Sequence, residues 1–292
     1  MRNINFDNFK VRCSSIKKIL SNSQSNPILT EKQAVLLDEL EKKDNLTENQ
    51  KNTITRLKEL KDNSKKIVLS DTCIEYLMEV YSWETEKMIP IGKESMDLLQ
   101  LKKGKMAEEE SITLLSIYEN VFYKKNNERV ENEYLSGEPD IYTGNSIMEA
   151  DIITDIKTIW DYPLFLKKIH QKLENGYLEQ VQGYCDITGA KGGRIARCLV
   201  SLPFEIVQEM KWKVAKKLDA ISVESPEFLK EWVKWEYSMN FDNIPVEGRV
   251  HIIKINTFSP IERQKVYDRV KICREWLNNF HEERIKLFGI LS

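Results

Sequence analysis

The chain has 292 residues, with 44 lysines and arginines against 46 aspartates and glutamates, for a formal net charge of −2. That balance excludes a polycation, so any nucleic-acid reading must rest on local basic patches. The 41% hydrophobic content allows a large core in one large domain or two small ones, and the 31% charged content suits a helix-rich surface.

Cys13, Cys73, Cys185, Cys198 and Cys273 are scattered, with no Cys-x-x-Cys. They read as reduced thiols rather than a disulfide framework or a zinc site. The chain start lacks an apolar signal core, and no run approaches a membrane span. The expectation is a soluble cytoplasmic protein with no membrane partner.

Residues 9–21 read as one short helix with a basic flank, with Arg12, Ser14 and Ser15 near its start. The serines are caps or phosphate contacts. A polar linker, Asn22 to Pro27, precedes a small repeat: Leu29-Thr30-Glu31-Lys32-Gln33 recurs as Leu46-Thr47-Glu48-Asn49-Gln50. Each copy is a Thr-x-x-Gln capping box opening an apolar stripe: Val35, Leu36, Leu37 and Leu40, then Ile54, Leu57 and Leu60. The pair predicts a helical hairpin inserted over 26–69. It either packs on the main domain or serves as an arm for DNA or another subunit.

Ser70-Asp71 opens a helix to Tyr81, and Trp83 to Lys87 forms a joint. Lys102-Lys103-Gly104-Lys105 then leads through Glu108-Glu109-Glu110 into a long helix to about Phe122, with Ile112, Leu115, Ile117 and Phe122 inward. The three glutamates suit a helix N-terminus by its dipole. They equally suit a metal ligand beside a phosphate track of lysines.

A strand over 128–135 enters Gly137-Glu138-Pro139-Asp140-Ile141. Near-alternating Ile147, Ala150, Ile152, Ile153 and Ile156 predict a strand pair turning at 142–146. Asp140 then starts one strand, while Asp155 and Lys157 share a face near the end of the next. Two carboxylates and a lysine would be costly to bury for nothing. They make sense around a hard cation that takes oxygen ligands, such as magnesium.

After a loop at 160–163 come a helix over 164–173 and a second through Tyr177–Tyr184 to Thr188-Gly189. Gln180 and Tyr184 share one face of the second helix. A strand runs over 195–202. Residues 204–240 are helical, with Trp212, Trp232 and Trp235 as core or interface. A strand over 249–256 and a helix from the Ser259-Pro260-Ile261-Glu262 capping box to about Phe288 close the chain. The alternation is that of an α/β protein. His170, His251 and His281 are far apart and suggest no Ser/His or Cys/His system.

The ordered set Gly104-x-x-x-Glu108, Gly137-Glu138-Pro139-Asp140, Asp155-Ile156-Lys157 and Gln180-x-x-x-Tyr184 resembles the PD-(D/E)XK nuclease superfamily. More narrowly, it is similar to lambda-type (YqaJ-like) phage exonucleases of Bacteroidetes phages and prophages. The resemblance covers the expected core, 100–205, and extends less surely to Arg12, Ser14 and Ser15 and to the C-terminal part, 206–292; the hairpin lies outside it. It implies a restriction-endonuclease-like core within a single nuclease domain, a mixed central sheet flanked by helices. It implies magnesium held by Glu108, Asp140, Asp155 and the Ile156 carbonyl, with manganese substituting; some members of the superfamily carry a cysteine-bound iron–sulfur cluster, but the scattered cysteines here argue against one. Glu109 is the fallback if the register slips by one.

By the same resemblance, Glu108, Asp140, Asp155 and Lys157 are catalytic, and Gln180 and Tyr184 steady the lysine near the DNA backbone. Arg12, Ser14 and Ser15 meet the DNA 5′ end, and Lys103 and Lys105, with Lys102, contact phosphates, Lys191 and Arg194 being weaker candidates. The implied activity is 5′→3′ digestion of duplex DNA ends in a phage- or prophage-bearing bacterial cell. A single-strand annealing protein is the implied partner, and a ring-shaped trimer the implied assembly. An endonuclease on the same fold and an idle DNA-binding protein are the rival expectations.

Overall fold

The computed structural model describes residues 4–21, 30–43, 45–65, 68–89, 99–174 and 176–287. These fall into two compact units, one built from 18–88 and the other from the segments before 18 and after 88.

The segment expected to be one helix from Phe9 begins instead as strand β1 (Val11–Arg12), followed by a 3-10 turn over Cys13–Ser15 and helix α1 (Ile16–Leu20). Tertiary pairing decides this. Val11 is buried, its N–H donates to the Tyr134 carbonyl, and it pairs in parallel with Leu135.

In the smaller unit, α2 (Glu31–Glu41) and α3 (Glu48–Lys65) form the expected hairpin. Both capping boxes close: Thr30 N–H donates to Gln33 Oε1 at 2.9 Å and Thr47 N–H to Gln50 Oε1 at 3.0 Å. Leu37, Leu40 and Leu57 are buried, while Val35 and Leu36 face out. Helix α4 (Asp71–Glu86) is capped by Ser70 and runs through the expected joint at Trp83. It ends where Lys87 turns left-handed, with φ 56°.

The larger unit carries α5 (Leu99–Met106) and α6 (Glu108–Glu119), two helices where one was expected. The break is Ala107, whose φ −106° and ψ 21° start a new helix at Glu108. Ile112, Leu114 and Leu115 face the core, whereas Ile117 and Phe122 are 63% and 90% exposed. The inward stripe stops early because Asn120 adopts a left-handed conformation and ends α6, so Phe122 leaves the helical register.

A small sheet of β1, β2 (Val130–Glu131) and β3 (Leu135–Gly137) follows in the order β1-β3-β2. The main sheet holds β4 (Ile141–Gly144) and β5 (Ala150–Thr158), then, past α7 (Tyr162–His170) and α8 (Tyr177–Thr188), β6 (Gly192–Cys198). Beyond α9 (Phe204–Lys217) and α10 (Pro226–Tyr237), β7 (Val250–Ile255) is its last strand, and α11 (Pro260–Leu287) closes the described chain. The order is β4-β5-β6-β7, with β5 and β6 parallel and the outer pairs antiparallel.

The protein is thus α/β, with two mixed sheets flanked by helices. β6 stops at Cys198, short of the expected Leu202, so Ser201 and Leu202 meet Phe241 and Met239 instead. β5 is buried on both faces, as a strand with helices on either side must be. On one face Ile156 packs with Ile112 and Leu115 of α6 and Ala196 of β6. On the other, Asp155 meets α8.

Candidate active site

Antiparallel pairing of β4 and β5 sets Ile141 opposite Thr154 and brings Asp140 beside the end of β5. Asp140 Oδ2 accepts the Ile156 N–H at 2.6 Å. The Pro139-Asp140 corner is held from outside by Asn126, whose side chain donates 2.9 Å to the Pro139 carbonyl and whose N–H donates 2.8 Å to the Asp140 carbonyl. Nothing in the sequence around Asn126 signals this role, since polar loop asparagines are common.

Asp155 is 1% exposed. Its Oδ1 accepts from Gln180 Nε2 at 3.1 Å, and the same nitrogen donates to the Tyr184 hydroxyl at 2.9 Å. Its Oδ2 is buried and receives no hydrogen bond of good geometry. Among the described residues, its ion-pair partner is Lys157 Nζ, 2.7 Å away. The lysine ammonium also lies 4.6 Å from the centre of the Tyr177 ring, a cation–π contact. Tyr177 was missed at the sequence level, although it is readable as the i−3 neighbour of Gln180 on one helix face.

Glu108, the first residue of α6, pairs with Lys125 Nζ at 3.2 Å. Its negative charge acts on both Asp140 and Asp155. Burial, then the nearby Asp155 charge, push the Asp140 carboxyl up to about 7. Burial likewise raises Asp155, against the pull of Lys157. Burial works to lower Lys157, but the Asp155 and Asp140 charges outweigh it and hold the ammonium above its ordinary value. The site therefore has more buried negative charge than one lysine neutralises, which is the electrostatic condition for binding a cation.

That surplus, with the orphaned Asp155 Oδ2, fits a hard divalent ion. The ligands would be Asp140, Asp155, Glu108 and the Ile156 carbonyl. Among the described residues, no three His, Cys, Asp or Glu side chains already stand in coordination geometry. The lysines occupy the acids instead, so a bound ion has to displace ion pairs.

The candidate DNA-contacting residues separate by exposure. Arg12, Ser14 and Lys105 are exposed, whereas Ser15 is buried. Gln180 and Tyr184 are buried; Gln180 bonds Asp155, not the lysine, and Tyr184 bonds Gln180. Lys103 requires a correction: it is 0% exposed, with its ammonium spent on the Ile159 and Trp160 carbonyls, so it presents nothing to a phosphate. Lys102 pairs with Glu209 and Lys191 with Asp151. Arg194 makes a two-pronged bond to Glu119 at 2.6 and 2.7 Å. The five cysteines are buried and in no disulfide, and no described helix is long and apolar enough to cross a membrane.

No family model matches the chain, and no curated protein does. Solved structures do. A phage-related exonuclease from Haemophilus somnus 129PT superposes with a TM-score of 0.60 at 21% identity, over 95% of this chain and 97% of that one. The alkaline exonuclease LHK-Exo from Laribacter hongkongensis superposes with a TM-score of 0.51 at 10% identity, over 96% of each chain. Its complex with dAMP gives 0.53 at 10%, over 97% of this chain and 95% of that one. At these identities the likeness carries the fold.

Proposed function

We propose that the chain is a magnesium-dependent DNA exonuclease of the PD-(D/E)XK type. It digests duplex ends 5′→3′ and leaves 3′ single strands for a phage-type annealing protein. The observation that carries this reading is the buried convergence of Asp140, Asp155 and Lys157 at one strand end, with Glu108 at the helix start beside it. The whole-chain likeness to exonuclease structures supports it.

Asp140, Asp155, Glu108 and the Ile156 carbonyl would hold the metal. When bound, the metal lowers the pKa of water and offsets charge on the phosphate and the leaving oxygen. The protein's own part is placement and charge. Gln180 fixes the rotation of the Asp155 carboxylate, and the Ile156 N–H fixes that of Asp140. Lys157, held protonated by its carboxylate neighbours, supplies a positive charge against the developing phosphorane. Arg12, Ser14 and Lys105 are the exposed groups available for sequence-independent phosphate contacts.

Linear duplex DNA labelled at the 5′ or the 3′ end, beside a closed circle, tests the reading with magnesium and then with EDTA. Early release of 5′ label with the circle intact is expected. Cutting of the circle replaces the exonuclease with an endonuclease, and absence of magnesium-dependent cleavage overturns the enzyme reading.

A further inference from the structure

We propose that Lys103 is a positioning residue of this site, a buried clamp that fixes the Glu108 helix start to the end of the strand bearing Asp155 and Lys157. The inference rests on the nuclease reading and deepens it.

Lys103 Nζ donates 2.8 Å to the Ile159 carbonyl and 2.9 Å to the Trp160 carbonyl. These are the second and third residues after Lys157. The Lys103 carbonyl accepts the Ala107 N–H at 2.9 Å, closing the junction between α5 and α6 from its other side. A second tie lies just past Glu108. Ser111 Oγ bonds the Ala107 carbonyl at 2.9 Å and the Thr158 hydroxyl at 2.8 Å. Glu108 is thus bracketed in sequence by Lys103 and Ser111, and both reach the same short stretch, Thr158 to Trp160.

The chemistry of the choice is informative. A lysine wholly removed from water is an expensive filler, and burial presses its pKa down to about 7. An apolar side chain would fill the same volume at lower cost. What lysine adds is reach and several donors on one atom, matched to two carbonyls that have just left the ladder of β5 and need partners. The consequence falls on the metal-binding set. Glu108 comes from a helix, and Asp140 and Asp155 from a sheet, so their separation is only as fixed as the junction between those elements. A supporting residue of this kind typically contributes 10–100-fold to metal affinity or activity.

The test compares the full chain with Lys103→Met, which keeps the length but cannot donate, with Lys103→Arg, and with Ser111→Ala. Manganese binding is titrated by calorimetry without DNA. Magnesium-dependent nucleotide release from linear duplex DNA is then measured at a temperature where circular dichroism shows each variant folded. Lys103→Met is expected to bind manganese about tenfold more weakly and to lose at least about tenfold in kcat. Its KM for DNA ends should stay within about twofold, and Lys103→Arg should recover part of both losses.

Unchanged manganese affinity and kcat in Lys103→Met, with only a lowered melting temperature, would reduce Lys103 to a structural filler and overturn the proposal. If Lys103→Met does not fold, Ser111→Ala decides: the same two losses in smaller measure support the clamp, and wild-type behaviour sinks it. If the wild type binds manganese yet cleaves no DNA, the nuclease reading fails while the clamp is judged on affinity alone. A wild type that does neither removes both.

Discussion

Gln180 Nε2 donates 3.1 Å to Asp155 Oδ1 in a buried contact. Because the same nitrogen also meets Tyr184, one side chain links the carboxylate to the interior of α8. Gln180→Met keeps the volume and removes the donor. It is expected to cost about 1–3 kcal/mol, because Asp155 is left buried with one fewer partner, and to slow cleavage about 10–100-fold. Urea unfolding and a single-turnover digestion assay measure the two effects. Full activity would show that Asp155 needs no such orientation.

Lys157→Ala removes the cation that pairs with Asp155 Oδ2. The variant should lose at least about 100-fold in cleavage. Breaking a buried ion pair from one side also destabilises the fold by about 3–5 kcal/mol. Magnesium should then raise its melting temperature more than it raises that of the wild type, since the ion replaces the missing charge. Asp155→Asn should abolish the magnesium effect altogether. Differential scanning calorimetry with and without magnesium reads both, and an equal shift in all three proteins would place the metal elsewhere.

Stability should depend on pH through Lys103. Its amine has a folded-state pKa near 7, lowered by burial from 10.5. Between those values the unfolded chain holds a proton that the folded chain has released. The cost of burying the ammonium is therefore fully present below about pH 7 and relieved as pH rises toward 10.5. From pH 7 to 8.5 the wild type should gain about 1–2 kcal/mol relative to Lys103→Met. Urea titrations at the two pH values check it, and parallel behaviour of the two proteins would mean that the buried amine keeps its proton up to pH 8.5, so that burial does not lower its pKa to about 7.

Two glycines should respond oppositely to alanine. A Cβ on Gly137 would lie 2.6 Å from the Tyr184 ring and 3.0 Å from Cys13 Sγ. Gly137→Ala should therefore destabilise by about 1–3 kcal/mol and disturb the Tyr184–Gln180 contact. At Gly104, within α5, an added Cβ meets nothing within 4 Å. Gly104→Ala should stabilise by up to about 1 kcal/mol from helix propensity. A stabilised but slow Gly104→Ala variant would mean that the open space serves the substrate, whereas unchanged digestion would make this glycine dispensable.

The sequence by itself determined what depends on near neighbours. Thr30 with Gln33 and Thr47 with Gln50 closed their caps as read, because a capping box is satisfied within four residues. Asp155 and Lys157 came to one face of a strand because the pleat has period two. Tertiary structure decided the rest, where a distant partner overrode the local pattern. Val11 and Arg12 became strand because Leu135 and Ser136 offered an edge. Ile117 faced outward within α6, and Phe122 left its register because α6 ended at Asn120. Lys103 looks in sequence like any member of a surface lysine run, yet two unpaired carbonyls at the end of β5, 56 and 57 residues away, drew it inside. Hydrogen-bond demand at the end of a sheet strand is created only when the chain has folded, so no window of sequence around residue 103 carries it.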